Sequence, residues 1–195
     1  MKEQPSALRI GYSAMAMLAM ALGSTSAIGH DEHAAPANRG SSTTDQRRAG
    51  ELVKIVRNAT ARYRDVAAAE AAGYQLMFGC VSGAESGAMG LHYVNMALVT
   101  DGRLDAAHPE IVIYEPLPNG GRRIVGADFL VFFADWHATN TAAPQLEGQL
   151  MHLIESPNRY GLPAFYTLHV WAWKDNANGS FVNWHPNVSC NDFAG

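Results

Sequence analysis

One long stretch of helical periodicity precedes every strand-like run in this chain, and that order restricts the fold more than any other feature. From about Thr44 to Ala72, Leu52, Ile55, Val56, Ala59, Tyr63, Val66, Ala67 and Ala71 recur at i, i+3 and i+4 and mark one apolar face. Thr43 or Thr44 can cap its start, Gly73 ends it, and Gly50 is placed to split off the first turns. Four runs rich in Val, Ile, Tyr, Phe and Trp follow: Leu91–Leu98, Glu110–Glu115, Arg123–Phe133 and Ala164–Lys174. Pro116 to Gly121 is a hairpin-length link between the second and third runs. Residues 81–90, with three glycines and two serines, read as a loop. Leu146, Leu150, Leu153 and Ile154 predict a short amphipathic helix over 142–156, and Ser180–Trp184 reads as a last extended piece. Helix first, then mostly adjacent strands, is an α+β order and not an alternating one. The expected architecture is a long N-terminal helix packed on a curved, mostly antiparallel sheet of four or five strands. It is either cystatin-like or a dimeric α+β barrel, with a small jelly-roll as the alternative.

The N-terminal stretch 1–27 has the pattern of a secretory leader. Lys2 and Arg9 supply positive charge, Ile10 to Leu22 is mostly apolar, and Thr25 and Ala27 occupy the −3 and −1 positions of a cleavage site. The apolar stretch is short for a bilayer span, and no later segment reaches that length. The expected organisation is therefore a signal peptide over 1–27, a flexible polar tail over 28–43 and one α+β domain over 44–195. A Sec-type leader places the protein in the periplasm or outside the cell, with no membrane span after cleavage. The whole chain has a net charge of −4. Cleavage would remove Lys2 and Arg9 against Glu3 alone and leave the rest slightly more acidic, so no basic footprint for nucleic acid is present.

Export changes the meaning of the two cysteines. In an oxidising compartment Cys80 and Cys190 are most simply a disulfide, closing most of the exported chain into one loop. Asn58, Asn178 and Asn187 head Asn-x-Ser/Thr sequons, which matter only where a host glycosylates. The chain lacks a Gly-x-Ser-x-Gly elbow, a P-loop, a His-Glu-x-x-His helix, a Gly-x-Gly-x-x-Gly turn and a Cys-x-x-Cys-His haem site.

Candidate chemistry rests on the eight histidines. Cleavage after Ala27 would leave Ile28-Gly29-His30 at the new terminus, where an α-amine, two amides and an imidazole suit square-planar Cu(II) or Ni(II). A second candidate follows from strand parity, because side chains alternate faces. Phe165, Thr167, His169, Trp171 and Trp173 share one face of the last run, and Gly126, Asp128, Leu130 and Phe132 share one face of the third. An Asp inside an apolar strand is costly unless paired or ligated, and the same holds for Glu115. His92, Glu115, Asp128 and His169 can therefore converge inside a curved sheet and bind Zn, Mn or Fe, or a small organic ligand. The alternative is a set of satisfied core groups, with His92 bonded to backbone and the carboxylates paired with Arg122 or Arg123. Trp171, Trp173 and Trp184, with Phe181 and His185, form a late aromatic cluster that either lines a ligand pocket or fills a core or interface, a homodimer interface included.

Three blocks resemble a group of small exported bacterial proteins of unknown function: Ala59–Asp65 through Gly73-Tyr74, Cys80–Asn95 and Phe181–Cys190. The resemblance implies an envelope location and that the blocks around His92 and Cys190 belong to one fold. It implies no activity. The functional expectation is an exported protein that binds a metal ion or small ligand at a His/carboxylate site on the sheet. The alternatives are a metal-dependent hydrolase or oxygenase-like enzyme using the same residues, and an interaction module with an aromatic interface.

Overall fold

A computed structural model describes residues 43–83 and 85–194. The expected leader over 1–27, nearly all of the tail and His30 lie outside the described residues. The first helix, α1 (Thr43–Thr60), buries Leu52, Val56 and Thr60, one residue per turn along a single stripe. It tightens into a 3-10 turn over Ala61–Arg64. The expected helix over 44–72 then breaks at Asp65, whose side chain accepts the Ala67 N–H at 3.0 Å and caps a new helix, α2 (Val66–Ala71). A short carboxylate that satisfies an orphan N–H competes well against continued helix, and apolar spacing alone does not register it. Gly50 does not interrupt α1.

Six strands form one antiparallel sheet in the order β1-β2-β3-β4-β8-β7, against the four or five expected. They are β1 (Gln75–Gly83), β2 (Gly87–Val94), β3 (Ile111–Pro116), β4 (Arg122–Phe132), β7 (His152–Ile154) and β8 (Phe165–Val170). Most strands lie in this single curled sheet, so the jelly-roll alternative does not hold. Two helices, α3 (Met96–Val99) and α4 (Phe133–His137), follow β2 and β4. The Asn95 side chain caps α3 by accepting the Ala97 N–H at 3.1 Å, which ends the expected strand over 91–98 early.

Two further differences have local causes. The stretch read as a loop over 81–90 is the β1–β2 hairpin, in which Gly83 pairs with Gly87. Phe78 and Gly79 take positive φ at an irregularity between Met77 and Cys80, so β1 lacks the alternation that marks a strand. The predicted helix over 142–156 is instead a two-stranded hairpin, β5 (Gln145–Leu146) and β6 (Gln149–Leu150), followed by β7. Glu147 and Gly148 both take positive φ, as a tight two-residue turn requires. The four apolar residues that suggested a helix are divided: Leu146 is buried, whereas Leu150 is 58% exposed and Leu153 is 42% exposed.

The sheet has two unlike faces. On one, α1 places Leu52 and Val56 against Phe129, Val131, Leu168 and Val170. The 3-10 turn and α2 cover the same face further along, packing Tyr63 and Ala69 on Tyr93, Val112 and Tyr114. The other face carries Ile111, Ile113, Leu130, Phe165 and Trp171. It is covered by the loop after β7, through Tyr160 and Leu162, and by the C-terminal segment, through Val182 and Val188. The Cys80–Cys190 disulfide ties that segment to β1. A bridge between Ala88 and His185 brings the segment onto β2. Gly87 makes this approach possible, because at φ +84° a Cβ there would lie 2.1 Å from the His185 carbonyl oxygen.

Candidate metal centre

The helix-free face places three polar side chains within reach of one another. His92 comes from β2, Asp128 from β4 and His169 from β8, and one ligand atom of each lies within 4.8 Å of the others. Register explains the meeting. Asp128 stands opposite His169 across the β4–β8 pair, and His92 stands opposite Ile113 on the intervening β3. The curl of the sheet lets the His92 ring reach over β3, and its centroid lies 5.7 Å from that of His169 at 76°.

All three are buried, and their partners differ. Asp128 Oδ1 accepts a hydrogen bond from the Thr167 hydroxyl at 2.7 Å. His92 Nδ1 lies 3.1 Å from the Gly90 carbonyl oxygen, so Nδ1 is the donor and Nε2 keeps the free lone pair. His169 has neither ring nitrogen bonded, although both are buried. Its Nδ1 lies 3.5 Å from Asp128 Oδ1 without making a hydrogen bond. A neutral imidazole always carries one N–H and one lone pair, so His169 holds a buried donor and a buried acceptor that the protein leaves unmet.

Burial dominates the protonation of the cluster. It lowers His92 to about 4, with His169 adding to the effect, and lowers His169 itself to about 3. Burial also raises Asp128 to about 6, against the opposing hydrogen bond from Thr167. At neutral pH the site is therefore two uncharged imidazoles and one carboxylate. That is the state in which each group is a metal ligand.

The cluster lies at a cavity of about 350 Å³. Its walls are mostly apolar, including Ile111, Leu130, Phe165 and Leu162. Aromatic residues line it as well, namely Phe78, Tyr160 and Trp184.

The other candidates from the sequence sit elsewhere. Glu115 does not line the cavity. It pairs with Arg123, four residues along β3 from the Ile111–Asp128 pair, or about 13 Å of strand. Its carboxylate accepts from Lys174 Nζ at 2.7 Å and from Arg123 Nη2 at 2.5 Å. Burial acts to raise Glu115, and these two cations outweigh it and hold the carboxyl below its ordinary value. Of the late aromatic cluster, Trp184 lines the cavity, whereas Trp171, Trp173 and His185 do not. Trp171 is buried and donates to the Val182 carbonyl at 2.6 Å. Trp173 donates to Thr60 on the helix side of the sheet, at 2.9 Å. His185 accepts the Asn187 N–H at Nδ1, which places its proton on Nε2, and its ring stands edge-on to Trp171 at 4.9 Å. Trp171 and His185 hold the C-terminal segment in place, and Trp173 ties the end of the sheet to α1.

Scans against family models, curated proteins and solved structures found no match to this chain.

Sequence reasoning did not single out Glu110: it opens the second strand-like run, where alternation sets it on the face opposite Ile111 and Glu115, but the strand β3 begins only at Ile111. Glu110 is buried, and its Oε2 accepts the Leu130 N–H at 3.1 Å. Burial pushes its carboxyl up to about 8, with Asp128 adding a smaller repulsion. An acid raised on folding contributes stability below its unfolded pKa of 4.5 and loses it as pH rises through 8. Relative to a variant with an uncharged residue at position 110, the metal-free wild type is thus expected to lose roughly 1 kcal/mol per pH unit between pH 6.5 and 8. Urea unfolding of wild type beside Glu110→Gln at the two pH values checks this: the stability difference should move toward the variant by that amount, because His92 and His169, neutral in the folded state, add the same upward slope to both proteins and cancel.

Proposed function

We propose that this protein is exported and binds one divalent transition-metal ion through His92, Asp128 and His169. The observation that carries the reading is His169. Both of its ring nitrogens are buried and unbonded, inside a set of ligand atoms that lie within 4.8 Å of one another. Two imidazoles and a carboxylate favour Zn(II) or Fe(II) over harder ions such as Mn(II). When bound, the ion would supply Lewis acidity at the inner end of the cavity. His92 and His169 would hold it through nitrogen lone pairs. Thr167 would fix the Asp128 carboxylate, leaving its second oxygen for the ion.

Export is supported by the leader pattern over 1–27 and by the disulfide, which is the stable form in an oxidising compartment. Among the described residues no helix is long and apolar enough to cross a membrane.

A second reading, a metal-dependent hydrolase or oxygenase-like enzyme, is favoured by the cavity beside the cluster. Three protein ligands leave coordination positions open for water and substrate, whereas a purely structural zinc site is closed by four.

Elemental analysis after incubation with Zn(II) and desalting tests the metal reading. Wild type is expected to hold one ion per chain, and His169→Ala and Asp128→Asn less than a tenth of that. His30→Ala should retain the full content, which separates the core site from the terminal histidines. Wild type that holds no ion with either Zn(II) or anaerobic Fe(II) overturns the proposal.

A further inference from the structure

The cavity next to the metal ligands has a second charged feature, at its rim. Arg159 lines it, and among the described residues no carboxylate pairs with this guanidinium. Arg159 is held by a bond from Nη2 to the Ser82 carbonyl at 3.2 Å, and it lies 5.9 Å from the ring centres of both Tyr160 and Trp184. One hydrogen bond leaves most of its five donors free. Asn183 lines the same cavity, and its Oδ1 is buried without a partner. Between these groups the walls are apolar and aromatic. Phe78 and Phe165 each meet Tyr160 edge-on, at 5.6 and 6.2 Å.

We propose that this cavity binds a small apolar carboxylic acid, its carboxylate at Arg159 and its ring or chain against Tyr160 and Phe165. Its far end faces His92, Asp128 and His169. The proposal names the ligand class for the metal site and rests on that reading only for what occupies the inner end. Size agrees. A cavity of roughly 150 Å³ is enough for benzene, so about 350 Å³ admits a two-ring acid. Charge agrees as well. Arg159 offers the planar fork that a carboxylate fits with two hydrogen bonds. A neutral apolar ligand would leave that fork unmet.

Equilibrium dialysis of the zinc-treated full chain with 2-naphthoate and with 2-naphthalenemethanol, which differ at the acid group, tests the proposal. Wild type should bind the acid at least tenfold more tightly than the alcohol. Arg159→Gln, an exposed substitution, should bring the two within twofold of each other at unchanged zinc content. Tyr160→Ala should weaken both by about tenfold. An Arg159-dependent preference in protein that takes up no zinc would support this inference while removing the metal reading. Zinc-loaded protein that binds neither compound at millimolar concentration would overturn the inference and leave the metal reading intact. A preference for the acid that survives in Arg159→Gln would also overturn it.

Discussion

Replacing Cys80 and Cys190 together by Ala is expected to lower the unfolding free energy by about 4 to 5 kcal/mol. The bond spans 110 residues, so its removal frees a loop that holds most of the described chain in the unfolded ensemble. Few domains have more than about 15 kcal/mol to lose, so the change is a large fraction of the total. The native state should suffer locally too. The disulfide anchors the C-terminal segment to β1, and that segment supplies Asn183 and Trp184 to the cavity wall. Urea unfolding of the oxidised wild type beside the double variant measures the effect. A loss far below that expectation would mean that the segment is held by its packing, chiefly Val182 and Val188 on the sheet, and not by the bond.

The second large effect is expected at His169, with opposite signs in the two metal states. In excess zinc, at about a thousand times the dissociation constant, wild type should gain about 4 kcal/mol. His169→Leu should gain almost nothing. Without metal, the same substitution should leave the protein as stable or stabilise it by about 1 to 3 kcal/mol, because an unmet buried polar group costs about that much. The leucine replaces a buried donor and a buried acceptor, neither of them bonded, with apolar surface of similar size. A histidine serving only as a satisfied core residue gives the reverse pattern, with no zinc effect and a loss on substitution. Chemical unfolding with chelator and with zinc separates the two. A clear metal-free loss together with no zinc shift in wild type would remove the basis of the site.

Parity made much of this centre legible. Alternation along a strand is a local property, so Thr167, His169 and Trp171 were placeable on one face from their spacing, and Asp128 and Leu130 likewise. The structure puts these residues on the face opposite α1. Parity does not say how far along a strand a side chain lies from its neighbours on another. Glu115 has the right spacing from Ile111 and Ile113, yet register carries it toward Arg123 and Lys174. Trp171 and Trp173 share a parity with His169, and both follow the end of β8, where the chain has left the ladder. Trp171 bonds to the C-terminal segment and Trp173 to α1. Arg159, Tyr160 and Asn183 come from segments without period, so no local pattern announced them.

The helix-then-strands order, the pairing of the two cysteines and the faces of the central strands were determined by the sequence itself. Each depends on spacing along the chain or, for the cysteines, on there being only one pair to form. The breaks and edges were decided by tertiary structure. Asp65 interrupts the helix because its side chain finds an N–H to cap. The apolar pattern at 146–154 becomes strands because β7 has a partner in β8 and Glu147-Gly148 can turn. The meeting of His92, Asp128 and His169 needed the curl of the sheet as well as its register. Curl is a cooperative property of six paired strands, with a helix on one face and a tethered C-terminal segment on the other, and no single strand encodes it.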